Sequence, residues 1–134
     1  LLAERGYLYS SSMKDCDWAY LWEKDQKELP LVELPNDITM DDFTYYYFTF
    51  SDPAVRCMYP NREVFGNWKQ EFDGLALEGN KIFILKLHPQ MIGRASRIGM
   101  VGEFIAYMQN HGAWITTCED VARYVQKQNG GNRA

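Results

Sequence analysis

His88 occupies a position at which catalytic side chains are often found. It follows the apolar run 81–87 and precedes Pro89, which cannot donate a backbone hydrogen bond to a neighbouring strand. If the run is a buried strand, His88 lies at its carboxyl end, where side chains of parallel α/β folds reach the active-site mouth. A histidine placed there can act as a general acid, but a hydrogen-bonded structural histidine has the same sequence context. The other histidine, His111, precedes Gly112 and is expected to lie at a helix end.

Two adjacent carboxylates and two arginines are the other candidates for chemistry. Asp41 and Asp42 can orient an imidazole, although paired acids before a hydrophobic segment also form turns and helix caps. Arg94 and Arg97 follow His88 closely, and each can bind a substrate oxygen or pair with a carboxylate. These alternatives remain open at the level of sequence.

Other chemistries lack their usual motifs. The serine run 10–12 has no nucleophile-elbow glycines, and neither GxGxxG nor a Walker loop occurs, so acyl-serine and nucleotide chemistry are disfavoured. HExxH, HxxxH and an EF-hand loop are absent, so no complete metal site can be identified. Cys16, Cys57 and Cys118 are widely spaced and odd in number, which argues against a disulfide framework and favours a reducing compartment such as the cytoplasm.

The composition describes one ordinary globular domain. The 134 residues are 46% hydrophobic and 24% charged, which excludes disorder and fibrous repeats. The net charge is −4 without a basic stripe, so no nucleic acid partner is expected. The apolar stretch 82–85, like every other unbroken apolar stretch in the sequence, is far too short to span a membrane, and no membrane partner is expected. Aromatic residues make up 15% of the chain, and some of them are expected to line a cleft or an interface.

Strands and helices alternate along the chain. Residues 1–6 have the character of a helix end with a glycine cap, as if the chain were cut from a longer one. Residues 6–10 and the proline-bracketed residues 31–34 predict strands, with a loop over 18–22 between them, and segment 41–50 fits a strand or a buried helix turn.

The second half of the chain has clearer periodicity. Asn61 begins a predicted helix that stops at Gly79-Asn80, and the run 81–87 predicts a central parallel strand. A second helix is predicted from the stripe Ile98, Val101, Ile105 and Met108. Residues 113–117 predict a short strand, and capping-box spacing at 116–119 opens a last helix. The pattern indicates a parallel α/β sheet or part of a barrel.

Several of these segments together resemble a known family. The resemblance is carried by Leu87-His88-Pro89, Gly93-Arg94, Ser96-Arg97, residues 113–117 and residues 119–122. They resemble the carboxyl-terminal part of polysaccharide deacetylases of the NodB-homology type, in particular the branch with allantoinase-like, cyclic-imide-hydrolase-like and peptidoglycan-deacetylase-like members. Residues 2–12 resemble the segment after that family's arginine-proline motif, and residues 35–42 its Pro-to-Asp-Asp stretch. Ala95 stands where this branch usually has proline, and Cys16 where an acidic residue is common.

The resemblance implies a fold and an activity. Residues 1–134 would be the carboxyl-terminal portion of a single α/β domain, part of a distorted, TIM-like (β/α) barrel. The implied activity is hydrolysis of carbon–nitrogen bonds that deacetylates N-acetylated sugars in a polysaccharide such as peptidoglycan or chitin, or that opens a small cyclic amide or imide. The missing amino-terminal half would be the partner that supplies the catalytic base and the ligands of a zinc-type divalent metal. The chain alone is therefore expected to hold no metal and to be inactive.

Within this chain the resemblance assigns a catalytic role to His88 and a supporting role to one of two carboxylates. His88 would protonate the leaving amine, and Asp42, or Asp41, would stabilise its imidazolium. Arg94 and Trp18 are the candidates for substrate contact. Two other classes stay open: a non-catalytic carbohydrate-binding platform, and a structural half-barrel that associates with its partner or with itself as a homo-oligomer. An Asp-Asp motif and an HxxxH spacing immediately upstream would favour the enzyme.

Overall fold

The chain divides into two units, each of which is built from separate stretches of the sequence. The structure, a computed structural model, describes residues 1–49, 51 and 58–131. Cys57, and Phe50 at the end of the segment 41–50, lie outside these residues. The first unit comprises residues 1–36, 79–82 and the part from residue 116 onward, and the second unit comprises residues 37–78 and 83–115.

The described residues form a mixed α/β structure with three strands and five α-helices. In chain order the strands are β1 (Tyr9–Ser10), β2 (Tyr20–Lys24) and β3 (Lys27–Glu33). The helices are α1 (Asp42–Tyr46), α2 (Asn61–Glu78), α3 (Pro89–Ile92), α4 (Ala95–Asn110) and α5 (Cys118–Gly131). Short 3₁₀ helices lie at Ala3–Arg5 and Ile38–Met40. Gly6 ends the first of these in the left-handed conformation, as its place in the sequence predicted.

The first unit contains a mixed three-stranded sheet in the order β1-β3-β2. β1 runs parallel to β3, and β2 runs antiparallel to it. The predicted strands 6–10 and 31–34 are therefore present in part, as β1 and β3. The predicted loop over 18–22 is wrong, because Tyr20–Lys24 forms the antiparallel edge of a hairpin.

A bulge explains why the prolines misled the strand prediction. The register pairs Leu21 with Val32 and Glu23 with Glu28, so that β3 has extra residues, with Pro30 among them, opposite Trp22. A residue in a bulge needs no ladder N–H, and proline is tolerated there. Pro30 consequently lies inside β3 instead of marking its start.

Helix α5 begins where the threonine pair predicted it. The Thr117 hydroxyl accepts a 3.2 Å hydrogen bond from the backbone N–H of Asp120 and donates to its carboxylate at 2.7 Å. The predicted strand 113–117 is wrong, since no described residue of that segment forms a strand. β-branched and aromatic residues favour extended backbone, but a strand also requires a neighbouring chain with free hydrogen-bonding groups.

The core of the second unit lies where α2 packs against α4. Trp68 of α2 and Phe104 of α4 are both fully buried, with ring centroids 6.0 Å apart. The predicted helix from Asn61 to the stop at Gly79 is confirmed. The predicted α4 is also confirmed, but its buried face is rotated from the predicted stripe. The residues buried on α4 are Met100, Val101, Phe104 and Met108, whereas Ile98 is 54% exposed.

The run 81–87 does not form the predicted central parallel strand among the described residues. It makes one parallel bridge through the backbone of Lys86. The Lys86 N–H donates to the carbonyl of Met40 at 2.9 Å, and the Lys86 carbonyl accepts from the N–H of Asp42 at 3.1 Å. A strand is defined by a continuous ladder, and a single bridge is too short to be one. The side chains of Phe83 and Leu85 still pack against the core. The bridge has a further consequence, since it sets the Asp41–Asp42 segment beside the end of this run.

No helix among residues 1–49, 51 and 58–131 has the length and apolar character required to cross a bilayer.

Candidate active site

Asp42 and His88 form the hydrogen-bonded centre of the site, and we call them the Asp–His pair. The Asp42 side chain is fully buried, and its Oδ1 lies 2.6 Å from Nδ1 of His88. The carboxylate also accepts the backbone N–H of His88, at 3.1 Å to Oδ1 and 2.9 Å to Oδ2. Burying a carboxyl group without hydrogen-bond partners would cost several kcal/mol, and His88 supplies the partners of Asp42 through its ring and its backbone.

The geometry leaves the other ring nitrogen of His88 available. A carboxylate accepts hydrogen bonds, so the short contact places a proton on Nδ1. The His88 side chain is 38% exposed, and Nε2 is the ring nitrogen that the contact with Asp42 does not use. Pro89 then begins α3 with His88 as the preceding residue, which fixes the backbone from which the ring projects.

Asp41 has a different role from Asp42. Its Oδ1 accepts the backbone N–H of Phe43 at 2.9 Å and thereby caps α1. Its Oδ2 forms an ion pair with Nζ of Lys86 at 3.1 Å, while its Oδ1 lies 3.5 Å from Nδ1 of His88. The sequence left Asp41 and Asp42 as alternative neighbours of His88, and the closer and better-buried neighbour is Asp42.

Phe43 and Lys86 contact this centre and were not identified from the sequence. The Phe43 ring lies 5.0 Å from the His88 ring and stacks on Tyr47 at 4.2 Å, so it limits the orientations of the imidazole. Lys86 lies two residues before His88. In extended backbone that spacing puts both side chains on one face, a signal that could have identified Lys86.

The two predicted substrate contacts, Arg94 and Trp18, belong to different units. Arg94 is exposed at the start of α4 and has no described hydrogen bond to either member of the pair. Trp18 belongs to the first unit, where it is 51% exposed and has the ammonium of Lys81 at 4.8 Å from a ring centroid. Their predicted role in substrate binding stays a prediction.

The described residues do not fit a divalent metal site. Asp41, Asp42 and His88 each offer a ligand atom within 4.8 Å of the others. Nδ1 of His88 is already engaged with Asp42, however, and the Lys86 ammonium pairs with Asp41. A cation placed among these atoms would displace a 2.6 Å hydrogen bond and lie close to a positive charge.

A second buried carboxylate, Glu33, organises the first unit. It accepts the backbone N–H groups of Ser12 and Met13 at 2.7 and 2.9 Å and the indole N–H of Trp22 at 2.9 Å. Burial alone would raise the pKa of Glu33, but these hydrogen bonds and one from Ser10 outweigh it and hold the pKa below its usual value. Glu33, the last residue of β3, therefore connects the loop after β1 with Trp22 of β2.

Comparison with solved structures finds neighbours described as polysaccharide deacetylases and as an allantoinase. A protein from Mycobacterium smegmatis assigned to the polysaccharide deacetylases matches 96% of the chain with a TM-score of 0.79 and 28% identity. A probable polysaccharide deacetylase from Pseudomonas aeruginosa PAO1 matches 95% with a TM-score of 0.76 and 27% identity. The allantoinase PuuE matches 91% with a TM-score of 0.73 and 27% identity.

The chain matches less than half of each neighbouring structure. The chain covers 44%, 41% and 40% of these three structures, respectively, so it spans about two fifths of their length. No protein-family model matches the sequence, and no curated protein matches it. The resemblance drawn from the His88 and Asp41–Asp42 segments is confirmed by the structural neighbours, which include both deacetylases and an allantoinase.

Proposed function

We propose that this chain, which resembles polysaccharide deacetylases in sequence and structure, supplies the general acid of a hydrolase that acts on carbon–nitrogen bonds. The proposed substrates are N-acetylated sugars in a polysaccharide such as peptidoglycan or chitin. The observation that carries the proposal is the 2.6 Å contact between buried Asp42 and half-exposed His88. The deacetylase neighbours, which match 96% and 95% of the chain, support the choice of substrate.

The chemistry of amide hydrolysis explains why such a pair is needed. An amine leaves poorly as an anion, so a proton must reach the amide nitrogen as the carbon–nitrogen bond breaks. In our proposal protonated His88 donates that proton from Nε2 and becomes neutral. The buried Asp42 carboxylate keeps the proton on Nδ1 and stabilises the positive ring before transfer.

Neighbouring residues keep the acid in place. Phe43 packs on one side of the His88 ring, and Asp41 both caps α1 and pairs with Lys86. The cap fixes the first turn of α1, and Asp42 is the first residue of that turn. The Asp42 carboxylate is thereby aimed from a fixed backbone.

The remaining parts of the reaction are proposed to come from outside residues 1–134. The chain spans about two fifths of its structural neighbours, and the ligand atoms of Asp41, Asp42 and His88 are engaged with one another or with Lys86. We therefore propose that it forms the carboxyl-terminal portion of a distorted (β/α) barrel domain, and that the catalytic base and the ligands of a divalent metal belong to the other portion. When bound, such a metal would activate the attacking water. The isolated chain is then expected to show no turnover.

A second candidate activity is hydrolysis of a small cyclic amide or imide. The observation that favours it is the match of 91% of the chain to the allantoinase PuuE. Ring opening also requires a proton for the departing nitrogen, so His88 would have the same role. The two candidates differ in the substrate alone.

The test uses the longest reading frame that contains this sequence. Release of acetate from chitin oligomers and from peptidoglycan is compared with ring opening of allantoin, for the wild type and for His88→Ala. Loss of a general acid should reduce kcat by roughly 10²–10⁴-fold on the true substrate. The matched control is His111→Ala, since His111 is exposed and hydrogen-bonds the carbonyl of Tyr107. Normal turnover by His88→Ala would reject the proposal, and binding of chitin without turnover would favour a carbohydrate-binding module.

A further inference from the structure

Arg97 contacts both of the short helices that carry the Asp–His pair. Its guanidinium carbon lies 3.8 Å from the ring centroid of Tyr46 in α1. Its Nη1 donates a 2.7 Å hydrogen bond to the carbonyl oxygen of Met91 in α3. Arg97 itself lies in the first turn of α4, half-buried between exposed neighbours. One side chain therefore connects three helices.

Helices α1 and α3 need such contacts to stay in place. They contain five and four residues, and helices this short have no stability of their own in water. At their amino-terminal ends they are joined by the Asp–His pair. Near their carboxyl-terminal ends, Tyr46 and Met91 are joined through the guanidinium of Arg97. The two helices are thus tied at two separate points.

Tyr46 is a firm support for the arginine. It is 3% exposed, and its hydroxyl donates a 3.0 Å hydrogen bond to Asn61. Asn61 in turn donates to the carbonyl of Ser96 at 2.6 Å, next to Arg97 in the chain. Burial raises the pKa of Tyr46, against the opposing effect of Arg97, so the phenol remains a neutral donor. Asp42 lies one helical turn before Tyr46, and a shift of Tyr46 would move the Asp42 carboxylate with it.

We propose that Arg97 is a positioning residue for general-acid catalysis by His88. This inference rests on the function proposed above. The guanidinium fixes α1 relative to α3, so that the Asp42 carboxylate stays within hydrogen-bonding distance of both the ring and the backbone N–H of His88. A displacement of about 1 Å is enough to lose a productive alignment of this kind.

Amide hydrogen exchange of the 134-residue chain tests the tie without any assay of activity. The His88 amide, which donates to Asp42, is the reporter, and the Trp68 amide in the middle of α2 is the internal reference. Arg97→Met keeps an unbranched apolar stem but removes the guanidinium, and with it the charge and the donors. It should accelerate exchange of the His88 amide about tenfold, equivalent to the loss of one charge-assisted hydrogen bond, and leave Trp68 within about twofold. Arg97→Lys, which keeps the charge and has an ammonium donor group, should give a smaller acceleration.

The matched control is Arg62→Met, which removes an exposed arginine from α2 in the same unit and should leave both amides unchanged. Unchanged exchange of His88 in Arg97→Met overturns the inference. Equal acceleration of His88 and Trp68 also overturns it, because Arg97 would then stabilise the unit as a whole. If Arg97→Met does not fold, the same comparison is decided by Arg97→Lys.

Kinetics of the longest reading frame then separate this inference from the proposed function. Arg97→Met should lower kcat and leave KM unchanged, since it misaligns the acid without touching the substrate. Normal kcat in His88→Ala would reject the proposed function, and Arg97 would then have no role in catalysis. The effect of Arg97→Met on exchange of the His88 amide would still stand, because that measurement does not depend on activity. Normal kcat in Arg97→Met together with a strong effect of His88→Ala would overturn the positioning role alone.

Discussion

The Asp42 carboxylate binds His88 twice, at the ring and at the backbone. Nδ1 of the ring lies 2.6 Å from Oδ1, and the backbone nitrogen lies 2.9 Å from Oδ2. The ring bond selects the tautomer, and the backbone bond fixes the start of α3, from which the ring projects. A carboxylate that makes both bonds restricts the imidazole more than a ring contact alone.

Replacing Asp42 by asparagine should separate charge from shape at this position. Asparagine is of similar size and can still accept one hydrogen bond, but it carries no charge to stabilise the imidazolium. We expect kcat on an N-acetylated substrate to fall roughly 10–100-fold with little change in KM. Steady-state kinetics of the longest reading frame containing the chain would measure this.

Asp41→Asn is the matched control for that variant. Asparagine caps helices as well as aspartate does, so α1 should stay capped. The lost pair with Lys86 is partly exposed and is worth about 0–1 kcal/mol. A larger loss of kcat in Asp41→Asn than in Asp42→Asn would contradict the assignment of Asp42 as the direct partner of His88.

Glu33→Gln should destabilise the first unit at neutral pH. Both carboxylate oxygens of Glu33 accept hydrogen bonds, whereas a glutamine side chain has one accepting oxygen and one donating nitrogen. At least one of the donors on Ser12, Met13 and Trp22 would therefore lose its acceptor. We expect the free energy of unfolding at pH 7 to fall by about 1–3 kcal/mol. Urea denaturation followed by circular dichroism provides the measurement.

The pH dependence of this effect has a definite sign. Because the pKa of Glu33 is lowered in the folded state, its contribution to stability is present above the ordinary glutamate value of about 4.3. It is lost as the pH falls through the folded-state value. The difference in stability between wild type and Glu33→Gln should therefore shrink below about pH 4. A difference that is constant from pH 7 to pH 3 would contradict the lowered pKa of Glu33.

The chain alone should bind zinc weakly. Asp41, Asp42 and His88 are the candidate ligands that lie close together, and their ligand atoms are engaged with one another or with Lys86. Isothermal titration calorimetry of the isolated chain should show no tight stoichiometric binding. Lys86→Gln removes the competing positive charge and should bind zinc more strongly than the wild type. Tight binding by the wild type would mean that the chain holds a metal site of its own.

The sequence predicted local features well and long-range contacts poorly. Pro89 marks the end of the run before His88, and Asn61 and Gly79 mark the ends of α2, because these residues restrict the backbone locally. The short run of β-branched and aromatic residues at 113–117 has no strand partner among the described residues. Its propensity alone could not reveal this.

The candidate site shows the same division. His88, and Asp42 as one of two neighbours, followed from residue type and position. The partners Lys86, Phe43 and Tyr46 did not, because ion pairs, ring contacts and cation–π contacts have no periodicity in a single sequence. Arg97 illustrates the limit. The two roles considered for it paired its guanidinium with a substrate oxygen or with a carboxylate, whereas in the structure the guanidinium lies over the ring of Tyr46.

The turn between β2 and β3 offers a gain in stability that does not involve the candidate site. Asp25 and Gln26 have positive φ values of 52° and 62°, the type I′ arrangement that asparagine followed by glycine adopts most readily. Gln26→Gly should raise the free energy of unfolding by about 0.5–1 kcal/mol, because glycine adopts this backbone conformation without steric cost. Gln26→Val, a β-branched residue at the same position, should lower it by at least as much. Thermal unfolding of the two variants should therefore bracket the wild type, and equal melting temperatures for all three would show that the turn does not have this conformation in solution.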